Sequence, residues 1–146
     1  MAETLDITTD GQTRSLGVRE ARELGRNRQN SGDLSGAADI YQQIHTADPN
    51  NVDALHLLGV ISHRLGELDL ATELIAAALA IKPDFADAQC NLGVVFSDQG
   101  RYDEAADCYR RAIEIFSEGI SKFPEDPRFY RHRGHRYISI REIDRA

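Results

Sequence analysis

Histidines, cysteines and a run of arginines are the side chains that could hold a ligand or carry a reaction in this chain. His132 and His135 are three apart and His56 and His63 seven apart, so each pair falls on one face of a helix. Two such histidines can start a zinc site, but no carboxylate or cysteine completes either set. Cys90 and Cys108 stand in no metal or redox spacing and read as small packing residues. No phosphate-cradling glycine loop, nucleophile elbow, metalloprotease helix or paired-carboxylate motif occurs. The reading is of a protein that is not an enzyme, with no catalytic residue, no cofactor and no metal. What remains is anion binding. Residues 128–146, RFYRHRGHRYISIREIDRA, carry six arginines against two acids, whereas residues 1–127 carry 11 basic and 22 acidic groups. Tyr130 and Tyr137 lie among these arginines and could stack bases. The net charge of −7 nevertheless argues against general nucleic-acid binding.

The elements that position these groups follow from a period of 34. Gly25, Gly59 and Gly93 keep it, as do Gly32, Gly66 and Gly100, then Ala37, Ala71 and Ala105, then Tyr41, Ile75 and Tyr109. Pro49 and Pro83 share it. A fixed period of this length marks an array of one supersecondary unit. In the unit 52–85, Leu55, Leu58 and Gly59 share one helical face, Gly66 breaks the chain, and Leu68, Ala71, Leu74, Ile75, Ala78 and Leu79 share the face of a second helix. Gly59 and Ala71 are small enough for two helix axes to approach closely. Pro83 stops the second helix.

These residues resemble the tetratricopeptide repeat, over about residues 18–146. The unit beginning at Ala86 carries the resemblance most fully, with Asn91, Leu92, Gly93 and Phe96 in its first helix and Gly100, Tyr102, Ala105, Tyr109 and Ala112 in its turn and second helix. The unit 18–51 matches at Ala21, Leu24, Gly25, Gly32, Ala37, Tyr41 and Pro49, but Arg28 stands where a large aromatic is usual, so its first helix is expected to fray. The resemblance implies an all-α, right-handed superhelical array of antiparallel helix pairs. Its units are 18–51, 52–85, 86–126 and an incomplete 127–146.

The register slips once. From Gly93 to Gly134 is 41 residues, 34 plus seven, and seven residues is close to two helical turns. The second helix of the third unit can therefore lengthen without rotating its apolar face, which predicts one helix from about Tyr102 to Lys122. The alternative is a helix ending near Ser117 followed by a loose turn through Gly119. The fourth unit opens with a helix from Arg128 to Ile140, with Tyr130, Gly134 and Tyr137 in the key slots, and a second helix would start near Glu142. Arg133 fills a slot that is usually Leu, which suggests a salt bridge to an acid such as Glu118. An uncovered end exposes Tyr137, Ile140 and Ile143, a self-association face that would make a homodimer. A continuation into a longer protein is the alternative.

The resemblance places ligands on the concave side, lined by the first helix of each pair. The groups there are Arg19, Arg22 and Arg26, then Asp53, His56, Val60 and His63, then Asp87, Cys90, Asn91 and Val94, then Arg128, Arg131, His132 and His135. Two basic ends around a mildly acidic, apolar middle suit an extended peptide with acidic groups near its ends; the bland reading is solvated helix faces. Some tetratricopeptide proteins clamp the carboxylate of a chaperone tail. Here the clamp slots hold Arg22 and Arg26, Leu57, and Asp87 and Asn91, which removes an amide and puts a negative charge where a positive one is needed. Asn91 alone is no asparagine ladder of the kind found beside O-linked N-acetylglucosamine transferases, although residues 55–71 and 88–115 look like the bacterial arrays that precede such domains.

Residues 1–17, rich in Thr, Asp, Ser and Gly, read as a disordered leader. The start is polar and acidic, unlike a secretory signal, and the longest apolar run, Leu74 to Ile81, is too short to span a bilayer, so a cytoplasmic protein is the expectation. The expected function is that of a protein- or peptide-binding adaptor. The alternatives are the substrate-recruiting part of a larger glycosyltransferase and an anion or RNA binder acting through residues 128–145.

Overall fold

A computed structural model describes residues 3–145. The chain forms two compact units, one ending at Ile81 and the other starting at Lys82. The first contains strands β1 (Thr4–Thr9) and β2 (Gln12–Gly17) and helices α1 (Val18–Asn30), α2 (Leu34–Ala47), α3 (Val52–Arg64) and α4 (Leu68–Ile81). The second contains α5 (Ala86–Asp98), α6 (Tyr102–Lys122) and α7 (Pro127–Asp144).

Three helix pairs, α1–α2, α3–α4 and α5–α6, turn on the same device. Gly32, Gly66 and Gly100 have φ of +88°, +82° and +74°, a region that costs a side chain dearly. The residue after each glycine donates its N–H back across the turn: Asp33 to the Arg28 carbonyl at 2.9 Å, Glu67 to Ser62 at 2.9 Å and Arg101 to Phe96 at 2.8 Å. Each bond satisfies a carbonyl that the helix end would otherwise leave orphaned. Within each pair the helices then close on a glycine. A Cβ on Gly25 would lie 2.5 Å from the Tyr41 ring, one on Gly59 2.5 Å from Ile75, and one on Gly93 2.5 Å from the Tyr109 ring. The 34-residue period thus records two backbone requirements, a left-handed turn and a side-chain-free contact.

Helix α6 has 21 residues against 14 in α2 and α4. Its apolar face is continuous, burying Ala105, Tyr109, Ala112, Ile113 and Phe116. Near its end a Cβ on Gly119 would meet the Phe129 ring at 2.5 Å, so α6 and α7 also meet at a glycine.

Three elements depart from the sequence expectation. The fourth unit does not break near Glu142; α7 is one helix from Pro127 to Asp144. The slot matching the turn glycine is 100 plus 41, which is Arg141. An arginine does not favour positive φ, so the helix propagates. The leader departs too: residues 3–17 are ordered, and residues 1 and 2 lie outside the described residues. Asp10 and Gly11, at φ of +53° and +75°, form a two-residue turn, and β1 pairs antiparallel with β2 from Thr4↔Gly17 to Thr9↔Gln12. Asp-Gly is favoured in such hairpins because both central residues need positive φ. Ile7, 2% exposed, joins Ala21, Ala37, Ile40, Tyr41 and Ile44 in the core. The Gln43 side chain grips the Thr8 backbone, accepting its N–H at 2.8 Å and donating to its carbonyl at 3.0 Å. Arg28, in the slot where an aromatic was expected, pairs with Asp10 of this turn and with Asp33, the N-cap of α2, at 2.9 Å. It therefore anchors α1, which is intact to Asn30.

Candidate functional site

The sequence nominates one face of each first helix. On α1, Arg19 and Arg26 are exposed, while Arg22 is half-buried and pairs with Asp53 of α3. Arg22 is therefore held by the protein's own carboxylate. On α3, Val60 and His63 are half-buried, but His56 is only 8% exposed and belongs to the interior. On α5, Asp87 is exposed and Cys90, Asn91 and Val94 are half-buried. In each unit, then, one first helix of a pair exposes a narrow strip in which a valine stands beside polar groups, Val60 on α3 and Val94 on α5.

Helix α7 presents Arg128, Arg131, His132 and His135 to solvent, and none of its described residues is fully buried. Two of the four are engaged. Asp126 caps α7 by accepting the Arg128 N–H at 3.0 Å and also takes the Arg128 guanidinium at 2.6 Å. The hydrogen-bonded guanidinium holds the Asp126 carboxyl down at about 2. The His132 ring stacks on Phe116 of α6 with centroids 5.4 Å apart. Arg133 does not reach Glu118 as expected. Its Nη1 donates to Ser117 Oγ at 3.5 Å and its guanidinium lies over the Tyr130 ring at 5.7 Å.

Arg136 figures in the sequence only as one of the six arginines of residues 128–146, without a role of its own. Arg136 occupies the slot that is Ile61 and Val95 in the preceding units, and its guanidinium lies 5.4 Å from the centre of the Tyr109 ring. A charge in an apolar slot was the available signal. Arg136 also faces Cys90, where it pulls the thiol pKa down, but burial outweighs it and the thiol is pushed up to about 11. Burial likewise pushes Cys108 up to about 11. Since the thiolate is the nucleophile, both cysteines should be inert at neutral pH. Labelling of the folded protein by an aromatic disulfide reagent at pH 8 should run about a hundredfold slower than in urea, and should speed up with each pH unit toward pH 10. Rapid labelling at pH 8 would contradict the burial described here.

A cleft of ≈ 380 Å³ in the second unit is lined by Val94, Tyr102, Tyr109, Ser139, Glu142 and Ile143. Among the described residues no three His, Cys, Asp or Glu side chains come together as a metal site. Among the same residues no helix is long and apolar enough to cross a membrane.

Comparison with known proteins supplies the family. Residues 30–89 match one tetratricopeptide repeat model and residues 86–118 match another. Tetratricopeptide repeat protein 7A of Homo sapiens is 32% identical over 91 residues, 62% of this chain and 11% of that protein. The probable UDP-N-acetylglucosamine–peptide N-acetylglucosaminyltransferase SPINDLY of Hordeum vulgare is 35% identical over 88 residues, 56% of this chain and 9% of the relative. The chain therefore spans only a small part of either relative's length. Among solved structures, PcrH in complex with the chaperone binding region of PopD superposes with a TM-score of 0.77 at 14% identity, over 87% of this chain and 90% of PcrH. With its left-handed glycine turns, its glycine-on-bulky contacts and the two matching models, this chain belongs to the tetratricopeptide repeat family and has that family's all-α solenoid fold, to which a β-hairpin is added.

Proposed function

We propose that the chain is a non-catalytic adaptor that binds an extended segment of another protein along the exposed faces of its first helices. The observation that carries this reading is the same kind of exposed strip on α3 in the first unit and on α5 in the second. Val60 and Val94 each leave apolar surface open beside polar neighbours, on helices whose opposite sides are sealed into the core. Apolar surface in reach of hydrogen-bonding groups is what holds a peptide's side chains and backbone together. Arg19 and Arg26 on α1 supply positive charge for acidic residues of such a segment. That PcrH has been crystallised with a region of its partner bound supports the reading.

The test uses peptides selected from a displayed random library against the full chain. Val60→Arg and Val94→Arg should each weaken the selected peptides by about tenfold, because a hot-spot contact is lost. Far-UV circular dichroism should be unchanged. Glu73→Arg and Arg110→Glu, exposed on the second helices, should bind as the parent does. Equal loss in both sets would refute a binding face on the first helices.

The likeness to SPINDLY favours a second reading, in which the array recruits substrates for a larger glycosyltransferase. A reading frame that continues past Ala146 into a transferase domain would establish it. Anion binding through α7 is less well supported, since Arg128 is neutralised by Asp126. Phosphate contacts would show as a steep loss of affinity with salt.

A further inference from the structure

The side of α7 turned away from α6 carries a second, unfilled packing slot. Ile140 and Ile143, expected on the open face, are half-buried, and Ile143 lines the cleft with Tyr109. The open face is instead Tyr130, Tyr137 and Ile138, which are 44%, 57% and 57% exposed. Gly134 sits at its centre, where an added Cβ would meet nothing within 4 Å.

The chain itself shows what fills such a slot. Gly25, Gly59 and Gly93 occupy the equivalent position in the first three units, and each is covered by a bulky side chain of a second helix, Tyr41, Ile75 or Tyr109. Four residues before each of these stands a fully buried alanine, Ala37, Ala71 or Ala105. The cover is therefore a helix that presents a small residue and, one turn later, a bulky apolar one. Charge narrows the choice further. Arg131 and Arg141 border the open face and are both exposed, and residues 128–146 hold six arginines against two acids. Two copies of α7 laid together would bring these arginines into opposition, whereas an acidic helix would neutralise them.

We propose that the Tyr130–Gly134–Tyr137–Ile138 face of α7 docks an acidic amphipathic helix of a partner protein, whose bulky apolar side chain seats on Gly134 and whose carboxylates meet Arg131 and Arg141. This surface shares no residue with the strips on α3 and α5, and either can fail without the other.

The probe is a stapled, fluorescently labelled peptide copying residues 102–116 with glutamate at the positions of Arg110 and Arg111, so that it keeps the alanine and tyrosine of α6 and is acidic. Anisotropy with the full chain should show saturable binding. Gly134→Leu fills open space on a helix and should leave the fold intact, yet weaken binding by at least about tenfold. The double substitution Arg131→Glu and Arg141→Glu should do the same, while His135→Ala should change little. A version of the peptide with lysine in place of the glutamates should bind poorly to the parent and regain affinity for the Arg→Glu double variant. Absence of binding, or binding that Gly134→Leu leaves unchanged, overturns the proposal. So does a concentration-dependent dimer in light scattering that Gly134→Leu abolishes, because a second copy would then be the cover.

Discussion

Gly59→Ala should destabilise the protein by about 2–3 kcal/mol, whereas Gly134→Ala, at the equivalent slot of the last helix, should stabilise it by about 0.5–1 kcal/mol. The two substitutions are chemically identical and both lie inside a helix, where alanine is the better residue. They differ in what the new methyl meets. At Gly59 it would lie 2.5 Å from Ile75 Cγ1 and 3.3 Å from the Ala71 carbonyl oxygen. Ile75 is completely buried, and the clash falls on Cγ1, close to its backbone, rather than on the far end of a flexible side chain. The carbonyl is backbone and moves only if α4 moves. The helix axes must therefore part, and the contacts around Ala71 and Ile75 loosen together. At Gly134 no atom lies within reach, so only the gain in helix propensity is felt. Urea unfolding followed by circular dichroism measures both. The same experiment on Gly59→Ala combined with Ile75→Ala should give a loss smaller than the sum of the single losses, because the truncated side chain no longer opposes the methyl. Equal midpoints for Gly59→Ala and Gly134→Ala would show that the glycine contact does not set the helix spacing.

The legibility of this fold follows the same physics. Positions that demand a glycine leave a signature that composition cannot imitate, and Gly32, Gly66 and Gly100 at positive φ, 34 residues apart, announce three turns. The long α6 is legible because an insertion of seven residues preserves the apolar face, so Ala112 and Phe116 repeat the spacing of Ala105 and Tyr109. Readings made from one residue at a time fare worse. His56 has the sequence spacing of a groove residue, but only the packing of α3 shows that its ring is interior. Arg22 looks available until Asp53 is found beside it, 31 residues along the chain. The continuous α7 was readable from the absence of a glycine at position 141, a negative signal weaker than the repeat pattern that favoured a turn. The exposed apolar face of α7 was foreseen in kind but shifted in detail, from Ile140 and Ile143 to Ile138, because Ile140 and Ile143 lie on the side of the helix that meets the α5–α6 pair.

The hairpin is the clearest case of a signal overruled by composition, and it leads to the other large expected effect. Ile7→Ala should cost about 2–4 kcal/mol, the range for emptying a fully buried aliphatic site. Ile7 is 2% exposed among Ala21, Ile40, Tyr41 and Ile44, so its loss leaves a cavity on the α1–α2 pair. Hydrophobic burial alone does not pin β1 there. The two hydrogen bonds between Gln43 and the Thr8 backbone fix its register, and the Arg28 pair with Asp10 fixes the turn. A strand held at Thr8, next to Ile7, and at its turn cannot slide to fill the void, which keeps the cost near the upper part of that range. The loss should be local. Hydrogen exchange of α1 and α2 amides should accelerate, because these helices lose a packing partner, while α5 and α6 amides should exchange as in the parent. An Ile7→Ala midpoint within about 0.5 kcal/mol of the parent, the range of an ordinary surface substitution, would return residues 4–17 to the status of a leader. A full-sized loss would make the hairpin a packed part of the first unit, the part that shields one side of the α1–α2 pair.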